Sequence, residues 1–178
     1  MNLKEQILLE HSKENSMKIA HWIGNNSEHF AELMKLLLGK EKIVVQRSAW
    51  ILSICSDQYP ELAMSYLQQL IAQCEQKGIH DAVKRNVTRV MARITIPTEL
   101  HEATLNLCIE LLSNPKESVA VRCWSMEIIA QLTKTYPELK SELKNIIEDA
   151  LEHQEISAGF KSKAKRILLS LNKKTGNN

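Results

Sequence analysis

The chain has 178 residues, of which 44% are hydrophobic, 25% charged and only 4% aromatic, with five glycines, four prolines and a formal net charge of +2. That length holds one compact domain or a short repeat array with a sizeable core. So few aromatics and turn residues argue against β-sandwiches and barrels, which need aromatic and β-branched strands and frequent tight turns, and they favour helices.

The N-terminal stretch MNLKEQILLEHSKENS carries charges throughout and lacks the apolar segment of a secretory signal. No apolar run approaches the length that spans a bilayer, so no membrane partner is expected. Cys55, Cys74, Cys108 and Cys123 form no CxxC pair. The expectation is a cytoplasmic protein whose cysteines are reduced, mostly packed thiols.

In chain order, paired helices (A then B) are expected over 2–12 and 15–26, 27–39 and 42–58, 60–77 and 80–95, 97–113 and 116–135, and 137–154 and 158–172. The polar breaks SKENS, NNSE, EQKGIHD, SNPKES and HQEISAG separate them. Residues 1–172 read as a single domain and 173–178 as a polar, frayed tail. The pairing rests on a repeat. Tyr59-Pro60-Glu61-Leu62 returns as Tyr136-Pro137-Glu138-Leu139, with Ile96-Pro97-Thr98-Glu99-Leu100 between them. Proline is tolerated in a first helical turn, where its missing N–H costs no hydrogen bond. Thr135 precedes Glu138 by the spacing of a capping box, so each proline predicts a helix start.

Before each proline, apolar or small residues recur at positions a, a+4, a+7, a+8 and a+11. The copies are Val44, Ser48, Ile51, Leu52 and Cys55; Val83, Val87, Val90, Met91 and Ile94; Val121, Ser125, Ile128, Ile129 and Leu132; and Phe160, Ala164, Ile167, Leu168 and Leu171. Each set is one stripe of a 3.6-residue helix, and the starts are 39, 38 and 39 residues apart. A period near 38 signals a helical solenoid. Ile19, Trp22 and Ile23 form a degraded first copy, which places Trp22 in the core.

Ser113-Asn114-Pro115-Lys116-Glu117-Ser118-Val119-Ala120-Val121-Arg122-Cys123-Trp124-Ser125 resembles the HEAT-repeat pattern. It has a proline turn, a valine–arginine pair and a small residue three places after the arginine. Val83-Lys84 with Val87, and Phe160-Lys161 with Ala164, are looser matches, and Val44-Val45 with Ser48 has valine where a basic residue is usual. The resemblance implies an all-α fold, a right-handed α-α superhelix of about five two-helix units. It also implies A helices on the convex side and B helices on the concave side. The family often pairs a turn aspartate with an arginine of the next unit, and no consistent aspartate is present here.

Residues 2–12, 27–39, 60–77, 97–113 and 137–155 hold five basic and fifteen acidic residues, and the remainder eighteen and six. A basic concave side suits an anionic partner, and the structural alternative is a solvated face. Helix phase puts His21, Trp50, Arg89, Glu127 and Arg166 in one outward row, a+6. Gln46 and Arg85 fall in the a+2 row. Arg85, Arg89 and Arg93 also form an i, i+4, i+8 stripe opposite Val83, Val87, Val90 and Met91. The candidate binding residues are therefore Gln46, Trp50, Arg85, Arg89, Arg93, Glu127 and Arg166. Trp124 flanks the core, whereas Trp50 is the expected aromatic anchor.

No Gly-rich phosphate loop, GxSxG elbow or HExxH is present, and the six histidines lack ligand spacing. No catalytic residue, metal or cofactor is expected. The expected function is a non-catalytic scaffold gripping a protein or acidic peptide on its concave face. The alternative is a nucleic-acid backbone binder similar to the HEAT-like DNA alkylation glycosylases, which combine a basic concave face, aromatics and a carboxylate. Trp50, Arg85, Arg89 and Glu127 resemble that set, but the reading places no aspartate near a concave tryptophan.

Overall fold

The computed structural model describes residues 1–153 and 155–172, with backbone alone at His153. Among them are eleven α-helices, one 3-10 turn and no strand. The helices are α1 (Leu3–Leu9), α2 (Lys13–Ile23), α3 (Ser27–Leu37), α4 (Lys42–Gln58), α5 (Pro60–Met64), α6 (Leu67–Cys74), α7 (Asp81–Met91), α8 (His101–Ser113), α9 (Val119–Leu132), α10 (Leu139–His153) and α11 (Ala158–Leu171). The expected tail, 173–178, and the end of the expected helix 137–154 lie outside the described residues.

The polar breaks supply the helix caps. Side chains of Ser12, Asn26, His80, Ser118 and Ser157 accept hydrogen bonds from first-turn amides of α2, α3, α7, α9 and α11. Each satisfies a donor that a helix start otherwise leaves open. The prolines behave less uniformly than expected. Pro60 is the first residue of α5. Pro97 instead precedes a 3-10 turn at Thr98–Leu100, and Pro137 sits in a turn before α10. Their carbonyls accept from Leu100 N at 2.9 Å and Lys140 N at 3.2 Å. These i→i−3 bonds use the acceptor that proline keeps, so the turn closes before the helix begins. The expected helix 60–77 is also interrupted at Ser65 and Tyr66, where Tyr66 N bonds Ala63 O at 3.0 Å.

The chain divides into two compact units, one ending at Leu100 and the other beginning at His101. In the first, α4 packs against α1, α2, α3, α5 and α7. Its core holds every stripe residue from Val44 to Cys55 and from Val83 to Ile94, together with Phe30, Leu33 and Leu67. In the second, α9 packs against α8, α10 and α11. The stripes there are buried from Val121 to Leu132 and at Phe160, Ala164 and Ile167, while Leu168 and Leu171 are half-buried. Trp22 departs from its expected core position. It is half-buried and stacks on His29 with ring centres 3.7 Å apart, because α2 packs mainly on α4 and α1 and leaves that edge open.

All four cysteines carry thiols, with Cys55, Cys74 and Cys108 buried. Burial pushes the Cys55 and Cys108 thiols up to about 12. Two buried hydroxyls, Ser48 Oγ and Thr104 Oγ1, have no hydrogen-bond partner among the described residues. No described helix is long and apolar enough to cross a membrane.

Candidate functional site

Helices α4 and α7 are the B helices of neighbouring pairs and lie against each other. Their stripes face the core, which turns Gln46, Trp50, Arg85 and Arg89 to the remaining face. These four line one cleft of about 460 Å³, together with His11 and Asp57. Small residues keep the space between the helices open. Ser53 is buried and its hydroxyl bonds Trp50 O at 3.0 Å, and Ala82 stands opposite on α7. Asn86 is buried too, its amide donating to Ala82 O at 2.7 Å. Trp50 is half-buried, and the His11 ring meets it edge-on at 5.7 Å and 73°.

The charges are unevenly matched. Arg89 Nη2 donates to Asp57 Oδ2 at 2.7 Å, and Arg93 Nη1 donates to Asp57 Oδ1 at 2.5 Å. One carboxylate thus serves two guanidinium groups, Arg89 in the last turn of α7 and Arg93 just beyond its end, since the expected helix 80–95 stops at Met91. Arg85, one turn earlier, is exposed and forms no ion pair among the described residues. Among the residues that line the cleft, Arg85 and Arg89 face the single carboxylate of Asp57. The Asp57 pairs are a quarter to a half exposed, at 34% for Asp57, 26% for Arg89 and 47% for Arg93, so water screens them.

The other two candidates belong to the second unit. Glu127 Oε2 accepts from Lys163 Nζ, which also lies 5.5 Å over the Trp124 ring. Burial, and then the charge of Arg166, hold Lys163 below the ordinary lysine value even with Glu127 against it. Glu127 is therefore already engaged. Arg166 is exposed and lines a groove along α11 with Lys165 and Leu169. Arg122, from the most family-like stretch, is buried; its Nε donates to Leu112 O at 2.9 Å and its guanidinium lies 4.4 Å over the Phe160 ring. That arginine holds helices together.

The sequence reading missed Asp57 and His11. The expectation that no aspartate stands near an outward tryptophan is overturned, since Asp57 lines the cleft with Trp50. The signal was present: Gln46, Trp50, Ser53 and Asp57 follow i, i+4, i+7, i+11 spacing and share one face of α4. His11 comes from the break between α1 and α2, where no periodicity marks it. Among the described residues no group of three or more His, Cys, Asp or Glu could hold a metal ion.

A family model described as HEAT repeat domain matches residues 3–171. Comparisons with curated proteins and with solved structures gave no significant match. The family model spans almost the whole chain and agrees with its all-helical, pairwise build, so the chain belongs to the HEAT repeat family.

Proposed function

We propose that the protein is a non-catalytic binding module, working in the cytoplasm, that takes an acidic segment of a partner protein into the α4–α7 cleft. Helical repeats offer preformed, extended surfaces suited to such partners. The observation that carries the reading is Arg85, an exposed guanidinium without a carboxylate partner among the described residues, beside a half-buried tryptophan. A guanidinium fork pairs with a carboxylate in two parallel hydrogen bonds, and an indole supplies a rigid apolar plate for the adjoining chain. Gln46 adds an amide at the same wall, and Arg89 and Arg93 hold Asp57 while keeping the local field positive.

The test is fluorescence anisotropy with labelled Asp- and Glu-rich peptides. Arg85→Glu is expected to weaken binding by roughly tenfold or more, the scale of one lost charge-assisted hydrogen bond, with an unchanged melting temperature. Unaltered affinity in Arg85→Glu overturns the reading.

A second reading has one observation in its favour, the position of Asp57 beside Trp50, Arg85 and Arg89. A carboxylate, an aromatic ring and cations around one cleft resemble the set used by HEAT-like DNA alkylation glycosylases. The sharing of Asp57 between two arginines weighs against its serving as a base. Duplex DNA bound with a log–log salt slope of several units replaces the peptide reading with this one.

A further inference from the structure

A second cavity in the first unit, of about 440 Å³, is walled by the turns that lead into α4 and α7. Its wall includes Gly39, Lys40, Lys42, Lys77, Gly78 and His80. The two turns occupy equivalent places in successive repeats, with Gly39 and Gly78 one period of 39 apart. They are tied together beneath. The buried Gln73 donates from Nε2 to Leu37 O at 3.2 Å, and its Oε1 accepts from Gln76 Nε2 at 2.8 Å.

The backbone demands glycine at position 78 and leaves little room for a side chain at position 39. Gly78 has φ +75, which strains any side chain, and the space beside it is open. A Cβ on Gly39 would come within 3.1 Å of Leu36 O.

The charge of this wall is of one sign. Lys40, Lys42 and Lys77 are exposed and make no ion pair among the described residues. No Asp or Glu lines the cavity, although Glu75 and Asp81 flank its turn in the sequence. Glu41, between two of the lysines, is engaged by Lys4 and makes no capping bond to α4. The uncapped start of α4 adds to the sign of the field and would not by itself make a site. An anion entering the cavity meets three ammonium groups and no lining carboxylate.

We infer that this cavity binds a small polyphosphate-type anion. The volume lies in the range of small-molecule sites, about 300–1,000 Å³. Lysine acts as a movable point charge that reaches phosphate oxygens from several directions, whereas a single planar carboxylate is better served by an arginine fork. Three lysines match a ligand that carries two or three negative charges within one short span, such as a linked pair or triplet of phosphates. A monoanion would leave two of the ammonium groups unmatched. The site is independent of the α4–α7 cleft and of the peptide reading.

The experiment is calorimetric titration of the full chain with inorganic tripolyphosphate at low and raised salt, with amide chemical shifts recorded alongside. The expected result is saturable 1:1 binding that weakens with salt and shifts the amides around Gly39 and Gly78. Lys40→Gln/Lys42→Gln/Lys77→Gln should weaken it by about tenfold or more, on the scale of lost hydrogen bonds to charged groups. Arg85→Gln should leave it unchanged. Since all three lysines are exposed, the triple variant should melt as the wild type does. Lys77→Gln alone, with a smaller loss, serves if it does not. Heat without saturation, affinity untouched by the lysine variants, equal loss in Arg85→Gln, or shifts confined to α11 would each overturn the inference.

Discussion

Helix pairs α4–α7 and α9–α11 are built from the same ingredients and end in different states. Each has a half-buried tryptophan, an acid on the earlier helix and bases on the later one. In the first pair Asp57 is shared by Arg89 and Arg93, Arg85 stands apart, and the Trp50 ring borders an open cleft. In the second, Glu127 meets Lys163 one to one, and the same ammonium covers the Trp124 ring. A basic count on a helix face therefore does not mark a site. The mark is a cation left over after the acids have been assigned, beside an aromatic that no cation already covers.

Both pairs rest on buried apolar stripes, and the largest expected effect tests how firm they are. Ile128, on α9, is 1% exposed. Ile128→Ala should cost about 2–5 kcal/mol in equilibrium denaturation. A loss below about 0.5 kcal/mol would mean that the α9 stripe does not carry the second unit.

Buried thiols also make stability pH-dependent in both units, Cys55 in the first and Cys108 most strongly in the second. Below pH 9.0, the ordinary thiol value, Cys55 and Cys108 are protonated whether folded or unfolded and shift nothing. Above it the unfolded thiols ionise while the folded ones wait until about 12. Stability should therefore fall as pH rises through that window, by about 1.4 kcal/mol per pH unit for each thiol. Denaturant midpoints across the window, set against Cys55→Ala/Cys108→Ala, measure it; the double variant should show the shallower decline.

The two ion clusters themselves should differ. Lys163 is 12% exposed, so Glu127→Gln strands a largely buried cation and should cost about 1–3 kcal/mol. Asp57→Asn, in the more exposed cluster, should cost about 1 kcal/mol or less while tightening acidic-peptide binding, because the cleft gains one positive charge. The reverse order of costs would break the contrast between a closed contact and an open one. Smallest of all, Arg85→Glu should change stability by no more than about 0.5 kcal/mol, and its effect should appear in binding alone.

The helical stripes were readable because four copies of one spacing agree, and burial follows that spacing from Val44 to Ile167. The interruption at Ser65-Tyr66 was not, since neither glycine nor proline stands there. Pro97 and Pro137 misled by two to four residues because a proline can close a preceding turn as readily as open a helix. Helix phase grouped Gln46, Trp50, Arg85 and Arg89 correctly. The engagement of Glu127 was illegible because Lys163 lies 36 residues away, and phase along one helix says nothing about partners on another. Asp57 was illegible for a different reason: it lies beyond the last apolar residue of the α4 stripe, where no core periodicity marks it.

The two silent hydroxyls, Ser48 Oγ and Thr104 Oγ1, bear on how much firmer this chain could become. Each is buried on folding and receives no bond in return among the described residues. Ser48→Ala removes the oxygen and little else, and Thr104→Val keeps the outline of the side chain. Both positions therefore hold untapped thermal headroom, reachable without touching a surface that meets solvent or a partner.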